Sequence, residues 1–117
     1  MNWNQLTSLS QLDSIKEESA EYPVLIFKHS IRCSVSSMAL DRLERAWDET
    51  ELTDLKPYFL DLINHREISN AIADVFGVDH ESPQILIISD GKSIYDNSHM
   101  GIAYHEIKRV YDDFEKA

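Results

Sequence analysis

The sequence predicts an α/β domain in which a mixed sheet of about four strands is covered by helices on both faces. Short apolar runs alternate with amphipathic helical patterns along the chain. Helices separate the earlier strands, which should therefore be parallel, whereas Asp90-Gly91 is a turn signal that joins the last two strands as an antiparallel hairpin. The length of 117 residues suits a single domain, which we expect to span residues 1–117.

The first half of the chain is predicted to form a helix, a strand and a second helix. Ser8 and Gln11 have the spacing of a capping box before a helix that extends to about Ser19. After Pro23, the continuous apolar run at 24–27 is typical of a strand buried on both faces. Cys33 then opens an amphipathic helix. The apolar residues on one face of that helix are Val35, Met38, Ala39, Leu43, Ala46 and Trp47.

The second half of the chain is predicted to add three strands and two helices. Apolar runs at 58–63 and 85–88 indicate strands, and residues 93–95 complete the hairpin. Gly77 is placed to end the helix between the first two of these strands. The apolar positions of that helix are Ile68, Ile72, Val75 and Phe76, and those of the last helix, after Gly101, are Ile102, Ile107, Val110, Tyr111 and Phe114.

Composition excludes several classes of function. The formal charge is −10, with 21 acidic and 11 basic residues, which argues against binding to nucleic acid or to an anionic membrane surface. No apolar stretch reaches the roughly 18 residues of a membrane helix, and the first residues lack a secretory signal, so we expect a cytoplasmic protein. The three glycines are not clustered, which argues against a nucleotide-binding loop.

Cys33 is the only cysteine in the chain, so an internal disulfide is impossible and any disulfide chemistry must involve a second molecule. One cysteine is also too few for a typical structural zinc site, and the histidines lack ligand spacing, so we predict no metal centre. We expect surface positions for most of the histidines, with His29 as the exception because it approaches Cys33. The histidines are His29, His65, His80, His99 and His105.

The order of elements, with a cysteine where a long strand passes into a helix and a proline before the hairpin, resembles thioredoxin. Residues 75–78, Ser82-Pro83 and 90–92 are similar to the thioredoxin pattern around its cis-proline. More narrowly, residues 27–36 and 80–84 resemble the monothiol bacilliredoxins, which are YtxJ-like proteins of the bacillithiol system.

The resemblance includes the active-site signature of the bacilliredoxins, which is usually Thr-Cys-Pro-Ile-Ser. This chain keeps Cys33 and Ser36 and has Arg32, Ser34 and Val35 at the Thr, Pro and Ile positions. The resemblance implies a C-x-x-S oxidoreductase with catalytic Cys33 and Ser36. It also implies that Cys33 removes bacillithiol or a similar small thiol from mixed disulfides on client proteins.

The implied enzyme needs no bound cofactor, because the small thiol is a co-substrate. A second small thiol or a separate disulfide reductase would regenerate Cys33, since no resolving thiol is present. The partners are therefore S-thiolated client proteins and that reductant, and we expect a monomer or weak dimer.

The chemistry at Cys33 depends on its thiolate, which is the reactive form of a cysteine. A helix N-terminus stabilises an anion through its dipole and its unpaired N–H groups. Lys28, His29 and Arg32 are close enough in sequence to add to this effect. The Ser36 hydroxyl either donates to the Cys33 sulfur or only solvates the first helical turn, and the sequence leaves both open.

The resemblance also implies a cis bond before Pro83, which would present the Ser82 backbone beside Cys33 for an extended substrate. With Arg32 and Ser34, these residues form the predicted substrate site. Asp61 is either a buried acid that moves protons for Cys33 or a solvated strand residue.

Other functions stay open on the sequence. A non-catalytic thioredoxin-like binding module would use the same groove, with Cys33 as a passive thiol or a redox sensor. A hydrolase that pairs Cys33 with His29 would need an oxyanion hole, for which the sequence offers no candidate.

Overall fold

The computed structural model describes residues 1–116, which form five strands, four α-helices and one short 3₁₀ helix. The strands are β1 (Asn4–Gln5), β2 (Val24–His29), β3 (Lys56–Asp61), β4 (Gln84–Ser89) and β5 (Lys92–Ser98). The α-helices are α1 (Ser10–Glu18), α2 (Ser34–Ala46), α3 (Arg66–Phe76) and α4 (Tyr104–Lys116), and the 3₁₀ helix is His99–Gly101. The predicted mixed α/β architecture is confirmed.

The strands form one sheet in the order β1-β3-β2-β4-β5. β2 and β3 are parallel, and β4 and β5 form the antiparallel hairpin, as predicted. Two features differ from the expectation. β1 is an additional parallel strand beside β3, and β4 pairs antiparallel with β2 although α3 precedes it.

The sheet separates two apolar cores, and β2 contributes to both because its side chains alternate between the faces. Val24 and Ile26 pack with α1 and α3, whereas Leu25 and Phe27 pack with α2 and α4. Every residue of β2 is buried, which confirms the prediction of a strand covered on both faces.

The turn of the β4–β5 hairpin is bound to the end of α1. Asp90 and Gly91 both have positive φ, at 53° and 74°, as a two-residue hairpin turn requires. The Asp90 N–H donates to the Ser19 carbonyl at 2.7 Å, and the Gly91 N–H donates to Ser19 Oγ at 2.8 Å. Ser19 thus ends α1 and holds the hairpin at the same time. Gly77, at φ 66°, ends α3 as predicted.

The first and second helices differ in detail from their predictions. α1 begins at Ser10 after Leu9, and only half of the capping box forms, since Gln11 Oε1 accepts the Ser8 N–H at 2.9 Å. In α2, Met38 is 60% exposed because it lies about 100° around the helix from buried Ala39. Ala46 is exposed because it is the last residue of the helix. Among the described residues, no helix is long and apolar enough to cross a membrane.

Candidate active site

The residues predicted to form the site lie at one edge of the sheet. β2 and β3 both end there because they are parallel, and β4 begins there because it is antiparallel to β2. Lys28 of β2 pairs in register with Gln84 of β4. His29 is the next and last residue of β2, Pro83 directly precedes β4, and the loop from Ser30 to Cys33 follows His29.

Cys33 is the N-cap residue of α2 and has extended backbone angles, φ −113° and ψ 118°. It is a half-buried free thiol. Its N–H donates to the Ser30 carbonyl at 3.2 Å and its carbonyl accepts the Ser37 N–H at 3.1 Å, which fixes the start of the helix. The first turn of α2, which the structure describes in full, carries no acidic side chain. The partial positive charge of the helix end is therefore available to the sulfur.

Ser36 makes neither of the two contacts expected of it. The side chain is completely buried, so it does not solvate the first turn. Its Oγ accepts the Ser30 N–H at 3.1 Å and lies 2.7 Å from Nδ1 of His29. Within residues 1–116, no hydrogen bond joins Ser36 to Cys33. Ser36 therefore connects the Cys33 helix to the end of β2.

His29 is buried on the α2 face of the sheet, with 7% of its surface exposed. Its ring packs against Phe27 and Phe59, with centroid distances of 6.2 and 5.4 Å. Burial lowers the pKa of His29, and the negative charges of Asp61 and Glu44 oppose that shift. Burial therefore favours the neutral imidazole, and the contact of Nδ1 with Ser36 joins the ring to the first turn of α2.

Lys28 does not lie with His29, and the expectation that its charge sits beside Cys33 is corrected. Its side chain points to the α3 face, because consecutive strand residues face opposite sides. It is completely buried, and its Nζ donates to the Ser69 carbonyl at 3.3 Å and lies 3.4 Å from His80 Nδ1. Burial lowers the pKa of Lys28 to about 8.

The predicted substrate residues, Arg32, Ser34, Ser82 and Pro83, differ in their exposure and hydrogen bonding. Arg32 and Ser34 are exposed. The Ser82–Pro83 peptide bond is cis, the isomer that the resemblance implies. Pro83 is buried and its carbonyl accepts the His99 N–H at 3.0 Å. In the described part of the chain, the Ser82 main chain makes no hydrogen bond, and its buried Oγ has no partner.

The family that matches this sequence is described as Monothiol bacilliredoxin BrxC, and the match covers residues 4–107. The chain belongs to the monothiol bacilliredoxin family. This confirms the resemblance of residues 27–36 and 80–84, and it makes the protein a member of a thiol oxidoreductase family.

Solved structures of other proteins share this fold. A protein reported to have a thioredoxin fold is 28% identical, with a TM-score of 0.76, and the match covers 90% of this bacilliredoxin and 89% of that chain. Thioredoxin from Malassezia sympodialis is 12% identical, with a TM-score of 0.74 and coverage of 96% and 90%. Thioredoxin from Trypanosoma brucei brucei is 14% identical, with a TM-score of 0.73 and coverage of 99% and 93%. The two thioredoxins show the fold alone.

Two features of this bacilliredoxin, one at the site and one behind it on the α3 face of the sheet, were missed from the sequence. His99 borders Pro83 with a φ of 53°, and its Nε2 lies 3.4 Å from Glu81 Oε2. A left-handed histidine gives no sequence signal, since its conformation comes from the contacts around it. The second feature is the contact of Lys28 with Ser69 and His80. The alternation of side chains along β2 could have indicated it, because consecutive strand residues face opposite sides of the sheet.

Asp61 is a half-buried residue at the end of β3, in register with His29. Its carboxylate accepts a hydrogen bond from Asn64 Nδ2 at 2.7 Å, so it is held by its own loop. Over residues 1–116 of this bacilliredoxin, no group of three or more His, Cys, Asp or Glu side chains is arranged to hold a metal ion.

Proposed function

We propose that this bacilliredoxin is a monothiol oxidoreductase that removes bacillithiol, or a similar small thiol, from mixed disulfides on client proteins through Cys33. The observation that carries the proposal is the position of the lone thiol. Cys33 is half-buried at the N-terminus of α2, on the sheet edge that also carries Pro83. This position places the sulfur at the positive end of the helix dipole and leaves it accessible to a second molecule.

The reaction has two exchange steps that balance without any other oxidant. The Cys33 thiolate attacks the sulfur of the small thiol in the mixed disulfide, so that bond breaks and a Cys33–small thiol disulfide forms. The client leaves as a thiolate and takes a proton from water. A second small thiol then attacks the Cys33 adduct, which yields the oxidised small-thiol dimer and restores the Cys33 thiolate.

The surface around Cys33 suits a client protein. Ile31, Met38 and Met100 are large apolar side chains that are 57%, 60% and 65% exposed. Ile31 lies in the loop before Cys33, and Met38 lies in α2. Met100 lies in the 3₁₀ helix, which packs against α2. The preceding residue, His99, donates its N–H to the Pro83 carbonyl. Together with the unpaired main chain of Ser82, this rim offers apolar and hydrogen-bonding contacts to an extended chain.

The test uses a client protein that carries bacillithiol on one cysteine and a second sample that carries glutathione. Mass spectrometry should show release of the client thiol and a transient adduct on Cys33. Cys33→Ala should release no client thiol, whereas Ser37→Ala, an exposed position in the same helical turn, should behave as the parent protein.

Other results would assign other functions. Client binding that survives Cys33→Ala, with no thiol release by the parent protein, indicates a binding module. A Cys33 adduct that forms but never transfers indicates a redox sensor. Faster release from the glutathione sample than from the bacillithiol sample would reject bacillithiol as the preferred small thiol.

A further inference from the structure

The segment from Asp79 to Ser82, here called the cis-proline segment, is attached from behind to β2 and α3. Within it, His80 Nδ1 lies 3.4 Å from Lys28 Nζ and 3.3 Å from Ser69 Oγ. Lys28 and Ser69 are both completely buried, so these two partners have fixed places in the fold. The imidazole of His80 therefore joins the cis-proline segment to the α3 face of the sheet.

The two partners of His80 decide which ring nitrogen carries its proton. The pKa of Lys28 is about 8, so this lysine is charged at neutral pH. A charged lysine has three hydrogens to donate and no lone pair that accepts. Lys28 Nζ is therefore the donor, and His80 Nδ1 must offer its lone pair. The Ser69 hydroxyl can donate to the same nitrogen, so the contacts require the neutral Nε2–H form of His80.

A proton on Nδ1 of His80 removes this attachment. The nitrogen then carries a hydrogen and has no lone pair, so neither Lys28 nor Ser69 can donate to it. The imidazolium would also place a second positive charge 3.4 Å from the Lys28 ammonium, and like charges this close repel. Because His80 is exposed over much of its surface, the protonated side chain can turn into water.

The charged groups around His80 act on its proton in both directions. Partial burial of the ring lowers the pKa of His80, and the positive charges of Lys28 and Arg66 act in the same direction. The carboxylate of Glu81 opposes this shift. Glu81 Oε2 lies 3.4 Å from His99 Nε2, and a proton on His99 strengthens that pair. The net shift is downward, so His80 takes up its proton below its ordinary pKa of 6.5.

Both ends of the cis-proline segment have a second attachment that does not depend on the imidazole. Gln84, the first residue of β4, donates from Nε2 to the Asp79 carbonyl at 2.9 Å. At the other end, the Pro83 carbonyl accepts the His99 N–H at 3.0 Å. Loss of the imidazole contacts therefore loosens the residues between these two bonds, which include Ser82, and leaves the sheet in place.

We infer that His80 is a positioning residue whose protonation releases the cis-proline segment from the α3 face. In the neutral form, His80 accepts from Lys28 and Ser69, and the main chain of the segment stays in place for a client chain. In the protonated form, the segment is mobile and binds a client less well. The role in client binding rests on the proposed function, whereas the release itself needs no client.

The first test identifies the tautomer of His80 by ¹⁵N NMR of the imidazole, assigned with the variant His80→Gln. At neutral pH the parent protein should show the Nε2–H form. The imidazolium form should appear with a midpoint below pH 6.5. An Nδ1–H form at neutral pH would overturn the inference, because Lys28 could not then donate to that nitrogen.

The second test measures the mobility of the Glu81 and Ser82 amides by ¹⁵N relaxation. In the parent protein, their order parameters should fall from about 0.85 at neutral pH to below about 0.6 once His80 is protonated. The Leu6 amide donates to the Phe59 carbonyl at 2.9 Å and should stay rigid at both pH values. An equal fall at Leu6, or no fall at Glu81 and Ser82, would contradict a local release.

Three variants separate the titration of His80 from other causes. His80→Gln offers an amide oxygen that accepts and does not titrate, so the segment should be rigid at both pH values. His80→Phe keeps a ring without an acceptor, so the segment should be mobile at both. His99→Asn removes the neighbouring histidine with a residue that tolerates positive φ, and it should keep the parent response.

Three results with these variants would reject His80 as the titrating group that holds the segment. They are a pH response that persists in His80→Gln, a response that is lost in His99→Asn, and a rigid segment in His80→Phe. None of these measurements uses a client protein or a small thiol, so they test the release independently of the proposed function.

The client reaction tests the positioning role. At acid pH, KM for an S-thiolated client should be about tenfold higher in the parent than in His80→Gln, as loss of one hydrogen bond to a charged group predicts. The two proteins should agree at neutral pH. The rate of Cys33 with 2-hydroxyethyl disulfide, which has no peptide chain to bind, should be the same in both at each pH.

Equal KM values in the parent and His80→Gln at acid pH would overturn the positioning role. An equal difference between the two proteins in the 2-hydroxyethyl disulfide reaction would also overturn it, because the effect would then lie at the thiol. Failure to release any client thiol at neutral pH, with the amide response intact, rejects the proposed function alone.

Discussion

Lys28 and His29 are neighbours at the end of β2, and both are buried, yet they belong to different parts of the molecule. His29 faces α2 and contacts Ser36, and the negative charges of Asp61 on β3 and Glu44 on α2 oppose the effect of burial on its pKa. Lys28 faces α3 and bonds the Ser69 carbonyl and His80, with no carboxylate among these partners. The pKa of each is lowered by burial, but only that of His29 is also opposed by nearby negative charges.

The difference shows that the two faces of β2 end in different surroundings, one beside the helix of Cys33 and the other beside α3. On the α2 face, the last residue of β2 is His29, whose ring contacts the Ser36 hydroxyl of the helix that Cys33 begins. The α3 face ends at a cation that ties β2 to the segment before Pro83, because His80 lies between α3 and that proline. We therefore expect the loss of His29 to destabilise the fold, and we expect Lys28 to govern the pH dependence of stability at alkaline pH.

The largest effect on stability should come from His29→Ala. The change removes the contacts with Phe27 and Phe59 and leaves a cavity, which should cost about 2–3 kcal/mol of the free energy of unfolding. Urea denaturation measures it. His105→Ala makes the same substitution at a side chain that is 80% exposed and should change the free energy by less than about 0.5 kcal/mol. Equal effects of His29→Ala and His105→Ala would show that the aromatic contacts of His29 do not stabilise the fold.

Lys28→Met should raise the free energy of unfolding, whereas His29→Ala lowers it. Methionine keeps the volume and removes a buried charge without a carboxylate partner, so the free energy of unfolding at neutral pH should rise by about 1–3 kcal/mol. In the parent protein the pKa of Lys28 is about 8 in the folded state and 10.5 in the unfolded chain. The unfolded chain therefore binds the proton more tightly, and stability should increase with pH between these two values.

Urea denaturation across that pH range measures this contribution, which Lys28→Met should lack. Lys16→Met changes an exposed lysine and should keep the parent slope. A destabilised Lys28→Met variant would show that the two bonds of Nζ outweigh the cost of burying the charge.

Ser69→Ala should produce the smallest effect. Ser69 is buried and its Oγ lies 3.3 Å from His80 Nδ1, so the substitution removes one hydrogen bond, worth about 1 kcal/mol. The bond from Lys28 goes to the Ser69 backbone carbonyl and survives the change. A double-mutant cycle with Lys28→Met measures the coupling, and full additivity would show that the lysine and the serine do not share His80 as a partner.

Much of the fold could be predicted because each long element has a local cause. The apolar runs of β2 and β4 define strands without reference to the rest of the chain, and Gly77 and Asp90-Gly91 take the positive φ that their positions require. β1 could not be predicted, since Asn4–Gln5 is a strand only by pairing with β3. The antiparallel pairing of β4 with β2 depends on tertiary packing, because the sequence of α3 does not specify which strand the next one pairs with.

The location of the candidate site in the fold could be predicted from the sequence, but most of its side-chain contacts could not. Cys33 at a helix start and Pro83 at a strand start follow from the chain order and the resemblance. The contact of His29 with Ser36 crosses a loop, and its geometry depends on how α2 sits on the sheet. The orientation of Lys28 followed from strand alternation, but proximity in sequence to Cys33 suggested the wrong face.

The bonds of Ser19 provide a built-in reporter for work on the thiol. The amide hydrogens of Asp90 and Gly91 are held by the end of α1, at the end of β4 farthest from Pro83. They exchange with deuterated solvent only when that junction opens. A reagent that modifies Cys33 and leaves their exchange slow has acted locally, whereas faster exchange at both amides signals that its effect has reached the junction of α1 with the hairpin.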